Sequence, residues 1–177
     1  MNRGSSVEEA VKNIQMPAGM KSNPYLRENY GNNEFNVRGL YSKYSGWFDQ
    51  NGTHIRPVQT KEKAESFIES MGGADAVLRN ARQLHQAKKL KLALEYLDLL
   101  IDANLLEREA RLEKAIILDA LAKTDSDNPL IINMYEKLAS MEREKAQESQ
   151  KLSKPDGNPQ ILSAPQGDSP DPLPDSK

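Results

Sequence analysis

Two histidines, His54 and His85, are the only imidazoles in this chain that could serve a metal ion or a proton transfer. Neither belongs to an H-x-H, H-E-x-x-H or H-x-x-x-H pattern, which would bring two ring nitrogens to one face of a strand or helix. An isolated histidine is more often a structural or surface residue than a ligand or a catalyst. We therefore predict such a role for both, and no catalytic or metal-binding residue in this chain.

Pairs of acidic residues could divide acid and base roles between them, and three pairs are close enough in sequence to be considered. They are Glu8 and Glu9, Glu107 and Glu109, and Glu142 and Glu144. Side chains one or two positions apart on a helix point in different directions, so we predict solvated helix faces instead. The absence of cysteine excludes a disulfide framework, a Cys-ligated zinc and a thiol nucleophile.

The charge balance is not that of a protein with a polyanionic partner. The 177 residues carry 24 Lys and Arg against 26 Asp and Glu, a formal net charge of −2. One basic cluster lacks the interleaved aromatics of a nucleic-acid surface, so we predict no nucleic-acid binding; it comprises Arg79, Arg82, Lys88, Lys89 and Lys91. No run approaches ~18 apolar residues and no apolar signal segment is found, which predicts a cytoplasmic protein without a membrane span.

Stop and start signals divide the first sixty residues into short elements. Ser6 and Glu9 form a capping-box pattern that starts a first helix. A second helix is predicted over residues 33–45, followed by a turn at residues 49–52. Residues 53–59 are predicted to be extended, because Pro57 biases the residue before it away from the helical region.

Apolar residues at helical spacing predict five amphipathic helices, without a strand, between residues 60 and 148. Thr60 is predicted to cap the first of them, and the last is predicted to fray over the charged residues 142–148. The predicted breaks lie at residues 72–73, 88–89, 102–104 and 125–129. We therefore predict an all-α fold, an antiparallel helical array with tetratricopeptide-like hairpins after an irregular N-terminal segment.

The C-terminal residues 149–177 are predicted to be disordered. Six of the ten prolines fall within residues 151–177, and no aromatic residue does. Proline fixes φ and removes a backbone donor, so neither a helix nor a central strand can cross such spacing.

Seven of the ten aromatic residues lie before residue 50. Aromatic side chains bury large areas and often anchor interfaces. Two interpretations stay open, because periodicity does not separate them. The aromatics could form a core under the helical array, or a surface that meets another domain or subunit.

Two short motifs, GWFD at residues 46–49 and MGGAD at residues 71–75, resemble signatures of the alkylsulfatase family (SDS-hydrolase type) of the metallo-β-lactamase superfamily. The motif residues are Gly46, Asp49, Met71, Gly72, Gly73 and Asp75. By this resemblance, residues 1–45 correspond to the end of a catalytic domain, 46–148 to a helical dimerisation domain, and 149–177 to a Pro-rich tail. Gln50, Asn51 and Gly52 stand where the family usually has Gly-Asn-Pro, but Asn-Gly is itself a turn former.

The resemblance implies a homodimerisation module of an alkyl sulfate ester hydrolase, in which helices of each subunit cross the other. Its candidate residues for the interface or for domain packing are Tyr41, Tyr44, Trp47, Phe48, Tyr96, Leu130 and Met134. The family's zinc motif, H-x-H-x-D-H, has no counterpart here. The resemblance therefore carries over no catalytic residue, no metal ligand and no sulfatase activity, and the family's zinc would belong to its catalytic domain.

Two alternatives stay open beside this interpretation. The chain could be a fragment or split subunit of an active zinc-dependent linear alkylsulfatase, with the zinc site on a separate metallo-β-lactamase-type chain. It could instead be a helical-hairpin adaptor that binds a peptide, although true repeat proteins usually need three or more units. By itself the chain is not expected to hydrolyse dodecyl sulfate, even with added zinc.

Overall fold

The structure is a computed structural model that describes residues 5–29, 31–49 and 51–152. Within these residues the chain forms α-helices and two 3-10 turns and no β-strand, which confirms the all-α prediction. The helices are α1 (Val7–Asn13), α2 (Ala18–Lys21), α3 (Asn33–Ser45), α4 (Thr60–Ser70), α5 (Ala74–Gln86), α6 (Leu90–Asp102), α7 (Glu107–Thr124) and α8 (Pro129–Leu152). The prediction of a disordered tail over residues 149–177 was wrong for residues 149–152, because α8 continues to Leu152. From residue 153 on, the predicted tail lies outside the described residues.

No helix in the described part of the chain is both long enough and apolar enough to cross a lipid bilayer.

Side-chain caps set the ends of the N-terminal helices. The Ser6 hydroxyl accepts a hydrogen bond from the Glu9 N–H at 3.1 Å, and the Glu9 carboxylate accepts one from the Ser6 N–H at 3.0 Å. At the start of α3, the Asn32 side chain accepts from the Phe35 N–H at 2.7 Å. Gly46, with φ 72°, ends α3. The predicted capping box and the predicted helix over residues 33–45, which is α3, are therefore confirmed.

The segment before α4 differs from the prediction in two places. Gly52–His54 forms a 3-10 turn where an extended chain was predicted from residue 53. The Asn51 side chain accepts from the Thr53 N–H at 3.1 Å, so a local cap replaces the extended conformation. Thr60 is the first helical residue rather than the cap, and Gln59 occupies the cap position without a side-chain bond.

Residues in the left-handed region make the tight connections of the helical array. Gly72 and Gly73, at φ 88° and 92°, end α4 as predicted, and the Gly73 N–H donates to the Ile68 carbonyl at 2.9 Å. Lys88 and Asn104, at φ 60° and 56°, end α5 and α6 in the same conformation without the help of glycine. These short connections bring consecutive helices into contact.

The apolar core lies in the array of α4 to α8. Each helix from α5 onward packs on the next, and α4 packs on α6. The largest fully buried side chains are Leu97, Leu100, Ile117 and Val77. Fully buried alanines on α5, α6 and α7 leave room for close helix contacts; they are Ala81, Ala93, Ala110 and Ala115. The likeness to tetratricopeptide hairpins stays a prediction.

Helix α8 continues through the charged run at residues 142–148, where fraying was predicted. Glu142 is only 7% exposed, and its carboxylate accepts a hydrogen bond from the Arg111 guanidinium of α7 at 2.6 Å. The Lys114 ammonium lies 3.7 Å from the same carboxylate. The predictions of fraying and of a solvated Glu142 were wrong, because α7 supplies buried cationic partners that hold this part of α8 in place.

Candidate functional site

The N-terminal arm, residues 5–58, packs mainly on itself. Helix α3 rests on α1, the Tyr41 hydroxyl donates to the Ser5 carbonyl at 2.8 Å, and Arg38 pairs with Glu8 and Glu34 at 3.4 Å and 2.9 Å. The arm is joined to the array through Asn128, whose side-chain amide donates to the Gly31 carbonyl at 3.1 Å. Among the described arm residues, Val37 alone is buried. The arm therefore covers little of its own apolar surface.

The described aromatic side chains of the arm do not form a core under the helices. Trp47 is 79% exposed and Tyr44 72% exposed, while Tyr41 and Phe48 are half-buried. The rings of Trp47 and Phe48 lie 5.4 Å apart and tilted by 49°, so they contact each other at the surface. Of the two interpretations of the aromatic cluster, the core is ruled out for these residues. Their part in an interface stays a prediction.

A second apolar surface runs along α8. Leu130 is half-buried, and Met134, Leu138 and Met141 follow it at intervals of four, four and three residues with exposed side chains. This spacing places them on one face of the helix. Leu138 and Met141 were not among the predicted interface residues, although their helical spacing from Met134 was the signal that could have found them. Tyr96, also a candidate, packs on the array core.

The GWFD motif builds a turn held by its aspartate. The Asp49 carboxylate accepts from the Asn51 N–H at 3.0 Å, and its other oxygen lies 2.7 Å from the His54 Nδ1. The hydrogen bond from Asn51 and then the contact with His54 lower the pKa of Asp49. Gly46 supplies the positive φ that lets the chain leave α3. These residues shape the arm rather than assemble a reaction centre.

The MGGAD motif makes the junction between α4 and α5. Met71 is half-buried against the array core, and Gly72 and Gly73 both adopt positive φ. A side chain at either glycine would be strained in that conformation. Asp75 lies exposed in the first turn of α5, where the helix dipole stabilises a negative charge. The motif is therefore explained by chain geometry.

Each histidine lies against a carboxylate, and each of the three acidic pairs has a member that pairs with an arginine. His85 Nδ1 lies 2.8 Å from the Glu113 carboxylate of α7, and Arg82 lies 3.6 Å from the same carboxylate. Lys91 of the basic cluster pairs with Asp125 at 2.7 Å. In the described part of the chain, no group of three His, Cys, Asp or Glu side chains is placed to hold a metal ion. The described residues thus do not fit a zinc centre.

Tyr135 of α8 and Asp125 give a pH-dependent contribution to stability. The Tyr135 hydroxyl donates to the Asp125 carboxylate at 2.9 Å, and burial together with this contact raises the pKa of Tyr135 to about 12. The phenol ionises near pH 10 in the unfolded chain. Because the folded-state pKa is the higher one, the contribution is complete below pH 10 and is lost as the pH rises towards 12. Tyrosinate absorbance should therefore show that the Tyr135 phenol titrates late, and Tyr135→Phe should remove this late component.

The comparison for this titration is Tyr25→Phe. Tyr25 is almost fully exposed, so its removal should leave the late-titrating phenol in place. Loss of the late phenol in Tyr25→Phe, or its persistence in Tyr135→Phe, would contradict the assignment.

Sequence comparison gives a match to a family described as alkyl sulfatase dimerisation, over residues 6–145. An (R)-specific secondary-alkylsulfatase from Pseudomonas sp. is 30% identical over 136 residues, covering 76% of this chain and 20% of the enzyme. A linear primary-alkylsulfatase from another Pseudomonas is 39% identical over 82 residues, covering 46% of this chain and 16% of the enzyme. The chain thus spans about a fifth of the length of these relatives.

Structural comparison points the same way. The stereoselective inverting sec-alkylsulfatase Pisa1 from Pseudomonas sp. superposes with a TM-score of 0.72 at 30% sequence identity. The superposition covers 81% of this chain and 23% of the enzyme. The matched region is one helical part of a larger enzyme.

Proposed function

The chain belongs to the alkyl sulfatase dimerisation family, and on that premise we propose that it joins two identical subunits into a homodimer. The observation that carries the proposal is the exposed aromatic surface of the N-terminal arm, at Tyr44 and Trp47. Exposed apolar patches of this kind mark interaction sites in proteins of this size. The apolar stripe of α8 supplies further surface.

The two surfaces differ in what they offer a partner copy. Trp47 and Tyr44 are large, rigid side chains of the type that dominates binding energy at interfaces. The methionines of the α8 stripe adapt their shape to an opposing surface. A stable dimer buries about 1,200 Å² or more in total. The arm surface at Tyr44 and Trp47 and the apolar stripe of α8 together supply this area in the proposed dimer.

The test is the mass of the chain in solution. Light scattering during size-exclusion chromatography, at micromolar concentration, should give the mass of two chains. The mass should fall towards that of one chain as the sample is diluted below the dissociation constant. A chain that stays monomeric up to about 100 μM would overturn the proposal. A dissociation constant above that concentration is weaker than the affinity expected of a specific interface of this size.

For the whole protein we propose alkyl sulfate ester hydrolysis, with this domain serving assembly and the zinc-binding residues lying outside these 177 positions. Support comes from the names of the relatives, which are alkylsulfatases, and from a sequence with two histidines and no H-x-H-x-D-H motif. Turnover of dodecyl sulfate by the purified chain with added zinc would contradict this division of roles.

A further inference from the structure

A groove on the array has an apolar floor and an acidic wall. This acidic groove, a cavity of about 720 Å³, lies between residues 53–58 of the arm and helices α4 and α6. Its apolar floor includes Val58, Phe67 and Leu99, of which Val58 and Phe67 are exposed. Because burying apolar surface is favourable, an occupant of this groove should place apolar side chains on its floor.

The wall of the acidic groove carries unneutralised negative charge. Glu95 and Asp102 lie seven residues apart on α6 and so face the same way. Among the described residues neither has an ion-pair partner, and the same holds for Glu62 on α4. Asp98, between them, is already paired with Lys114. Lys63, the one lysine at the groove, lies 5.8 Å from the centre of the Phe67 ring. An occupant should therefore be cationic as well as apolar.

The arm contains a segment with that combination. In this cationic segment, residues 18–27, Met20, Tyr25 and Leu26 are exposed, and Tyr25 is 94% exposed. Lys21 and Arg27 have no ion-pair partner within the described part of the chain. The segment is preshaped, because two short helical turns, Ala18–Lys21 and Pro24–Leu26, hold it.

Local hydrogen bonds keep the cationic segment in an exposed conformation. The Asn23 side chain accepts from the Tyr25 N–H at 2.9 Å, which fixes the turn that presents the tyrosine. The neighbouring Glu28 carboxylate accepts from the Asn33 N–H at 2.6 Å and so is directed towards the start of α3. Lys21 and Arg27 are therefore the exposed cations of the segment, and Glu28 is an exposed anion beside it. The same three side chains line a cavity that Asp127 borders.

We propose that the cationic segment of one copy docks into the acidic groove of the other copy, with Tyr25 and Leu26 on the apolar floor and Lys21 and Arg27 against Glu95 and Asp102. This proposal rests on the proposed homodimer and specifies one of its contacts. In a two-fold symmetric dimer the contact occurs twice, because each copy supplies both surfaces. Opposite charges across the contact also fix its register.

The test exchanges the charges between the two surfaces. A segment variant, Lys21→Glu with Arg27→Glu, and a groove variant, Glu95→Lys with Asp102→Lys, should each dimerise at least about tenfold more weakly than the unchanged chain, because like charges then face each other. Mixed in equal amounts, the two variants should form a heterodimer of near-normal affinity, since both contacts of that pair are complementary. A chain with all four changes should again form a homodimer.

Two controls accompany this test. Lys88→Glu with Lys89→Glu makes the same change in charge as the segment variant, but away from both surfaces, and should leave the affinity unchanged. Circular dichroism should show that the groove variant keeps its helices, since the helix dipole stabilises a cation near the C-terminus of α6.

Each outcome of the exchange decides a different point. If both variants dimerise normally, this contact is overturned and the proposed homodimer is not. A mixture that stays monomeric while the four-change chain dimerises would place the segment in its own groove and overturn the exchange. A monomeric unchanged chain would overturn both proposals.

Discussion

Replacing Tyr44 and Trp47 together by alanine should convert the dimer into monomers at micromolar concentration. In the single chain both rings are mostly exposed, so they contribute little to its folding. Buried at an interface, aromatic anchors of this type typically contribute about 2 kcal/mol or more each. That energy corresponds to a roughly 30-fold rise in the dissociation constant for each ring. Light scattering over a dilution series measures the change directly.

The matched control for this pair is Leu92→Ala, which removes an exposed apolar side chain from α6. It should leave the dissociation constant within about twofold. Compared at a concentration where both chains are monomeric, the free energy of unfolding of the double variant should fall by no more than about 1 kcal/mol. Among the described residues, the ring contact that the two changes remove is that of Trp47 with Phe48. A double variant that dimerises like the unchanged chain would exclude the arm aromatics from the interface.

The helix ends that the sequence predicts well are those marked by a local side chain or by glycine. Ser6 before α1, Gly46 after α3 and the pair Gly72 and Gly73 all act within a few residues of themselves. Such signals can be recognised without knowing the rest of the fold. The same locality explains the failure at residues 53 and 54, which lie next to the Asn51 cap and farther from Pro57.

The failures at longer range have a different cause. Glu142 belongs to a run of charged residues, which by composition predicts a solvated helix end. Its partner Arg111 lies 31 residues earlier in the sequence, on α7. Only the packing of α8 on α7 brings the two together, and a periodic pattern on one helix contains no information about the partner that a neighbouring helix supplies.

The candidate interface shows where prediction by residue type ends. An aromatic cluster at helical spacing has the same pattern whether it faces a core or a partner. The outcome depends on how α3 is placed, and α3 rests on α1 while its Tyr44 remains at the surface. Residue type therefore predicted which side chains to consider, and the tertiary structure separated exposed Trp47 from half-buried Phe48.

Replacing Glu142 by alanine should lower the free energy of unfolding by about 2 kcal/mol. The change leaves the Arg111 guanidinium, itself mostly buried, without one of its two carboxylate partners. Burial opposes the charge of Arg111, but its hydrogen bonds to Glu142 and Glu107 outweigh this and raise its pKa. Removing one member of a buried pair costs about 3 kcal/mol or more. The expected loss here is smaller, because Glu107 stays at 2.8 Å.

The control is Glu144→Ala, two residues further along the same helix. Glu144 is exposed, and it accepts one hydrogen bond, from the Ser140 hydroxyl at 3.2 Å. Its removal should change the free energy of unfolding by no more than about 0.5 kcal/mol. Urea unfolding followed by circular dichroism, at one fixed protein concentration because a dimer's stability depends on it, compares the two variants.

A third variant separates the value of the ion pair from the cost of leaving one charge alone. With Arg111→Met and Glu142→Leu in the same chain, neither member of this pair is left alone, and Lys114 keeps Asp98. Glu107 loses Arg111, but it is the more exposed of the two carboxylates. Apolar replacement of a buried pair is often neutral or stabilising, so this variant should regain most of the stability that Glu142→Ala loses. If it is as unstable as the single variant, the packing of α7 on α8 depends on the charges themselves. If Glu142→Ala is as stable as Glu144→Ala, the contact with Arg111 does not hold the end of α8 in place.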